Sequence, residues 1–266
     1  MGFELEGFLG NEADLLMKET LKKYDAWFIL AYNINRLINK HKETLSITTD
    51  QAKEIILMSL YIKISNHYQS VILLLKKGLS VESDILIRSM LETLLPLKLI
   101  VTDETFFKEF IRNDKASTYR LYNVILKEEN KHLFNFISFE DEKKRDELMA
   151  EISPYYKDGK IRTLSAEELA KRADMNLDYQ LTYRYLSGYV HSSLETLEKA
   201  YLIIEDSELQ AFNLGHNTQS FDRILFSVMY YILCSFDFME QHFNTGLRPR
   251  MERYIETLLK LRSELK

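Results

Sequence analysis

The sequence predicts an all-α protein, a multi-helix bundle of about eight or nine helices. Three observations carry that prediction. Only 8 Gly and 3 Pro occur in 266 residues, where average usage gives roughly 32 of the two together; so few cannot punctuate a many-stranded sheet. Apolar residues recur at helical spacing along most of the chain, and no stretch reads as a convincing strand. The scarce turn and capping residues fall between the periodic stretches, where helices should start and stop.

The elements follow in order. Residues Asn11–Lys42 read as one long amphipathic helix, with Leu15, Leu16, Leu21, Trp27, Leu30, Ile34, Leu37 and Ile38 on its apolar stripe. Asp50 is the expected N-cap of a helix over Gln51–Lys77, and Gly78 its C′ residue. Ser80 is expected to cap Val81–Val101, and the short Gly78-Leu-Ser80 link predicts an antiparallel helical hairpin. Asp103 then caps a helix running to about Asn130. The polar stretch Phe139–Asp174 reads as an insertion in an otherwise single all-helical domain. Its charged run Glu140–Glu147 is a solvated face, and Pro154 and Gly159 bracket a loop. Ser165-Ala-Glu-Glu168 has the capping-box pattern. Helices over Leu177–Asp206 and Gln219–Phe243 follow, and Pro249 takes the first position of the last.

Composition excludes several function classes. No Gly-rich phosphate loop is present, which argues against dinucleotide and P-loop chemistry. The net charge is −5, so the chain has no global attraction to nucleic acid, although a local basic patch is compatible with it. The single Cys234 sits in an apolar run and reads as a buried inert thiol. Glu129-Asn-Lys-His132 alone has the Glu-x-x-His spacing, and no His pair stands four apart, so neither a metal nor another cofactor is expected. The start of the chain lacks the pattern of a leader or a myristoylation site, and no apolar run reaches the roughly 20 uncharged residues of a membrane span. A cytoplasmic protein without membrane contact is the expectation.

Two motifs carry chemistry. In Ile85–Val101, apolar on nearly every face, Arg88 and Glu92 stand four apart and share a face with Val81, Ile85, Leu95 and Leu99. They are expected away from solvent, either as a buried pair tying helices together or as a polar site in which Arg88 meets an anion. Pro96 removes the helical partner of the Glu92 carbonyl. The second motif runs Tyr183-Arg-Tyr-Leu-Ser-Gly-Tyr-Val-His-Ser-Ser193. If the helix is continuous, Leu186, Val190, Leu194, Leu197 and Tyr201 form its core stripe, with Arg184, Ser187, His191 and Glu198 on one flank. If it breaks near Gly188, with a capping box at Ser192–Glu195, His191 lies just outside a new helix N-terminus, a place that favours anions. His191 can serve there as an acid or base near neutral pH.

The Arg184-x6-His191 spacing resembles the motif of the HEPN superfamily. That resemblance implies a metal-independent RNase working as a homodimer, with Arg184 and His191 catalytic and the ribose 2′-hydroxyl as nucleophile; Tyr185 departs from the small polar residue common after the Arg. A fuller resemblance, over roughly Leu60 to Ile204, is to a bacterial helical family, number 5677 of the domains of unknown function. It rests on Leu86, Arg88, Ser89, Glu92 and Thr93, on Ile111 and Asp114, and on Tyr183, Leu186, Ser187, Val190, His191 and Ser193. It implies a helical fold and a pairing of the two motifs.

The expected binding residues are Arg88, Glu92, Tyr183, Ser187, Ser192 and Ser193, with Arg88, Glu92, Ser187 and His191 sharing one polar pocket. Asn66-His67 is a core-edge pair, and Tyr119–Tyr122 with Arg112, Lys115 and Arg120 is the best basic-aromatic patch. The functional expectation is a regulatory or binding module for a partner or a small anionic ligand; the alternative is a HEPN-like endoribonuclease or defence-toxin component acting on RNA.

Overall fold

A computed structural model of the chain describes residues 3–127, 129–130, 139–155, 163–215, 217–218 and 220–264. It is predominantly helical. A short α1 (Phe3–Glu6) and a 3₁₀ turn lead into α2 (Asn11–Lys23) and α3 (Asp25–Thr44). The expected single helix over 11–42 is therefore two: the chain breaks at Tyr24, whose ring packs 5.0 Å from that of Phe221. Trp27, Leu30, Ile34, Leu37 and Ile38 are buried as expected, whereas Leu15, before the break, is exposed.

The centre is the hairpin of α4 (Ala52–Lys76) and α5 (Ser80–Thr102), with α12 (Phe221–Phe243) packed against both. Its joint is a Schellman motif. Gly78, at φ 79°, donates to Leu75 O at 3.0 Å, and Leu79 N donates to Leu74 O at 3.1 Å. The expected caps are corrected at both helix starts. Gln51 and not Asp50 precedes α4, and the Asp50 carboxylate accepts from Thr48 Oγ1 instead. Ser80 lies inside α5, where its hydroxyl donates to Asn217 O and stitches the hairpin to the approach of α12. α12 is buried along most of its length through Ile224, Val228, Ile232, Phe236 and Met239. α13 (Arg248–Ser263) packs on α12 and α3, with Pro249 at its second position.

One polar network crosses this core. His41, Tyr61 and Glu240 are all buried; His41 Nδ1 shares a hydrogen bond with Tyr61 OH at 3.1 Å. His41 Nε2 lies 3.2 Å from Glu240 Oε1, at ion-pair distance. Burial lowers the His41 pKa to about 4, outweighing the attraction of Glu240 that would raise it.

On one side of α5 lie α6 (Phe106–Ile125), α7 (Phe139–Ile152) against α6, and α8 (Ala166–Arg172) against α5. α6 starts at Phe106 and ends five residues before Asn130; Asp103 Oδ1 accepts from Thr105 N and Oγ1. The Ser165–Glu168 capping box at α8 is present. Gly159 and His132 lie outside the described residues.

The stretch expected as helix over Leu177–Asp206 is several elements. A turn of α9 (Asn176–Asp178) passes into a π segment, Tyr179–Tyr183, then α10 (Arg184–Val190), α11 (Leu194–Tyr201) and an antiparallel hairpin, β1 (Leu202–Glu205) and β2 (Glu208–Phe212). The hairpin was not expected. Its turn residues, Asp206 and Ser207, both hold φ near the left-handed region, at 49° and 66°, the conformation that tight hairpins need. A register shift brings Leu209 opposite Ile204 while Phe212 faces Leu202, so four apolar residues gather on one face. Leu194, Leu197 and Tyr201, which a continuous helix would have put in a core stripe, are exposed, because the break before α11 turns them outward; Leu186, before the break, is fully buried.

Candidate functional site

The most developed polar geometry lies along α5. Asp84, Arg88 and Glu92 stand at four-residue intervals, so they form one row. That row is met by the tyrosines of the π segment and α10. Arg88 Nη2 donates to Tyr183 OH at 2.8 Å, and Tyr183 OH donates to Glu92 Oε1 at 2.9 Å. Arg88 Nη2 is also 3.2 Å from Glu92 Oε1, and the guanidinium lies 4.6 Å from the centre of the Tyr183 ring. Tyr179 stacks on the Tyr183 ring at 5.0 Å. Burial, with Glu92 adding to it, raises the Tyr183 pKa against the opposing effect of Arg88, which keeps the phenol neutral and its proton on the bond to Glu92.

The pair is not buried as a unit. The Arg88 side chain is 14% exposed and that of Glu92 is 42% exposed. The sequence places both away from solvent, but only the guanidinium is; the carboxylate emerges at the lip of a groove of about 400 Å³ between α5, α6 and the start of α8. Pro96, Phe106, Phe110 and Leu169 give the groove apolar walls, and Asp114 and Arg120 add charge. The Asn113 side-chain oxygen is buried there without a hydrogen-bond donor. Behind the Phe106 wall, Arg172 ties α8 to α6: it donates to Asp103 Oδ2 at 2.9 Å and Glu109 Oε2 at 2.7 Å and lies over the Phe106 ring. The Thr105 hydrogen bonds, with Arg172, hold the Asp103 carboxyl down at about 2.

The remaining expected site residues lie along α10 and its joint with α11. Ser187 is half-buried and its carbonyl accepts from His191 N at 3.0 Å. Arg184 is exposed and donates to Gln180 Oε1. The His191 imidazole is exposed and makes no hydrogen bond to Arg88 or Glu92. Of the two geometries weighed for this segment, the broken helix is the one observed, three residues beyond Gly188. Ser192 holds φ 54°, and Ser193, not Ser192, caps α11 by accepting from Thr196 N. Gly188 permits the close joint: a Cβ there would lie 2.8 Å from Thr196 Cγ2, and its carbonyl accepts from Thr196 Oγ1. The structure thus joins Arg88, Glu92 and Tyr183 through hydrogen bonds and leaves Ser192, Ser193 and His191 outside that network.

The other candidates have local roles. His67 Nδ1 bonds back to Lys63 O on its own helix. Arg112 pairs with Glu109 and lies over Tyr155, and Lys115 pairs with Glu151, so the basic-aromatic patch is largely neutralised. Cys234, expected to be buried, is half-buried, and the desolvation it does undergo pushes its thiol up to about 12. Among the described residues no group of three or more His, Cys, Asp or Glu could hold a metal ion, and no helix is long and apolar enough to cross a membrane.

Sequence reasoning missed the first member of the row. Asp84, its side chain 4% exposed, accepts from Arg223 Nη2 at 2.9 and 2.7 Å. The Arg223 guanidinium lies 5.2 Å from the Tyr185 ring centre, and Tyr185 OH is 3.2 Å from Tyr189 OH. Burial raises the Asp84 pKa against the pull of Arg223. The four-residue spacing of Asp84, Arg88 and Glu92 was the available signal.

Residues 54–209, more than half of the chain and the whole row on α5, match a family described as "Family of unknown function (DUF5677)". No curated protein and no solved structure matches the chain.

Proposed function

The chain belongs to that family of unknown function, and we propose that it is a binding module whose groove beside α5 takes a small ligand. The ligand has an apolar body and an ammonium or similar N–H-rich head. One observation carries this reading: Glu92 is held in place by Arg88 and Tyr183 at the lip of an apolar-walled groove that also offers Asp114 and the donorless Asn113 carbonyl, two carboxylates against the one cation Arg120 in its lining. Fixed acceptors above an aromatic wall suit a cationic donor, and preorganisation lowers the ordering cost of binding. In this reading the polar site consists of Arg88, Glu92 and Tyr183, and His191 takes no part in it. A small anion at Arg88 is disfavoured because Glu92 and Tyr183 already engage the guanidinium.

Calorimetry and thermal shift with phenethylamine, against phenylpropionate as the acid of similar body, test this. The amine should bind and raise the Tm while the acid does not. Glu92→Gln and Asp114→Asn should each weaken the amine by about ten-fold, the loss of one charge-assisted contact. Equal response to amine and acid, or an amine response untouched by both variants, removes the proposal.

A second reading, a metal-independent endoribonuclease, is supported by one fact: Arg184 and His191 are both exposed and seven residues apart, hence near one flank. There His191 would move the proton of the ribose 2′-hydroxyl and Arg184 would meet the phosphate, in a homodimer. RNA cleavage by wild type and folded His191→Ala decides it; equal behaviour removes the catalytic role.

A further inference from the structure

Away from α5, four cations line one cleft of about 300 Å³ between α3 and α13: Arg36 and Lys40 from the first helix, Arg250 and Arg253 from the second. The buried Leu37 and the half-buried Tyr254 complete the lining, and no carboxylate belongs to it. This is unusual on a chain of net charge −5. Elsewhere on the described surface, several basic side chains have acidic partners, as in Arg172–Asp103, Lys171–Glu167, Lys199–Glu195 and Arg248–Asp237, and the distinction of the cleft is that four unpaired cations share it. None of the four in the cleft makes an ion pair with a described carboxylate.

Two of the arginines are braced by neutral groups instead. Arg36 Nη1 donates to Asn33 Oδ1 at 2.8 Å, and Arg253 Nε donates to the Pro249 carbonyl at 3.3 Å. Each brace uses one N–H and leaves the rest of the guanidinium free, at a reduced entropy cost for binding. Arg250 also sits in the first turn of α13, where the helix dipole adds positive potential. The two helices lie outside the family match, so the cleft belongs to the elements that flank the shared region.

We infer that the α3–α13 cleft binds a compact ligand carrying a pyrophosphate or longer phosphate chain. Four like charges in one cleft repel one another, and a ligand with several negative charges relieves all of that repulsion at once. Arginine forks match phosphate oxygens in pairs. The cleft is short, bounded by one stretch of each of two helices, which favours a compact polyanion over a nucleic-acid strand that needs phosphate contacts along its length.

The test is isothermal titration calorimetry of the full chain with pyrophosphate, ADP, inorganic phosphate and a short single-stranded RNA. Pyrophosphate and ADP should bind saturably and more tightly than inorganic phosphate, with affinity falling as salt rises. The R250A/R253A double variant, both positions being exposed and its Tm unchanged, should lose at least about ten-fold. ADP binding tighter than pyrophosphate places a base beside Tyr254; equal affinities make the phosphate chain the whole determinant. Either result supports the inference. It is overturned by no saturable binding, by binding that the double variant retains, by inorganic phosphate matching pyrophosphate, or by RNA binding more tightly than ADP.

Discussion

Tyr183→Phe removes one oxygen from the centre of the α5 site and leaves the ring in place. That oxygen accepts from Arg88 at 2.8 Å and donates to Glu92 at 2.9 Å. A hydrogen bond to a charged partner contributes about 1.5–3 kcal/mol. The two bonds do not count equally. Glu92 is 42% exposed, so water replaces its lost donor at little cost; Arg88 is 14% exposed, and its Nε is already buried without a partner. The expected loss is therefore close to that of one charged bond, about 2 kcal/mol. Packing of the ring under the guanidinium and against Tyr179 survives. For a chain of this size that corresponds to a Tm lower by about 4 °C. Urea unfolding followed by far-ultraviolet circular dichroism gives the free energy, with an unchanged m-value showing that the folded state is intact. Tyr179→Phe serves as the control and should cost no more than about 0.5 kcal/mol. A Tyr183→Phe loss no greater than that of the control would refute the assignment of the hydroxyl as the link between Arg88 and Glu92.

Three further outcomes are expected. With the folded His41 pKa at about 4 and the unfolded value at 6.5, the unfolded chain takes the proton first on acidification; stability falls as the pH drops from about 6.5 to about 4, by roughly 3 kcal/mol. His41→Gln should remove that part of the pH dependence, and identical urea-midpoint slopes in the two proteins would sink it. Gly188→Ala should destabilise by about 1–2 kcal/mol despite the better helix propensity of Ala, because the new methyl meets Thr196 Cγ2 at 2.8 Å and Ser193 Oγ at 3.0 Å; adding Thr196→Ser, which deletes the closer methyl and keeps the hydroxyl, should recover part of the loss, and a neutral Gly188→Ala falsifies the contact. Cys234, its thiol raised to about 12, should react with Ellman's reagent far more slowly in native protein than in urea; equal rates would show an open site.

The helical class and the centre of the fold were legible because apolar spacing reports burial directly: the buried stripe of α3, the α4–α5 hairpin and the Gly78 joint all follow from local pattern. The break at Tyr24 was not, since its periodicity is continuous and only packing on Phe221, nearly 200 residues away, marks it. The β-hairpin escaped because Asp206-Ser207 lacks the glycine that usually advertises two positive φ values. In the site, Arg88 and Glu92 could be read from one helix turn, and Tyr183 from its motif. Their union could not, because it depends on how α5 meets a segment some 90 residues on. The same distance effect hid the basic cleft, whose two halves are innocuous alone and come together from opposite ends of the sequence.

The π segment Tyr179–Tyr183 has a consequence for inheritance. Its closure, Arg184 N to Tyr179 O, spans one residue more than an α-turn. Each residue in a helix advances the azimuth by about 100°. That extra residue therefore sets the phase between the anchor at Met175 and Leu186, both buried, and the tyrosines that must face α5. A chain with every tyrosine kept but one residue fewer here would point them elsewhere. Whether a relative shares this site is thus decided by counting as much as by identity: the spacer length is itself an inherited character, and an alignment gap in this stretch separates proteins that would otherwise look alike.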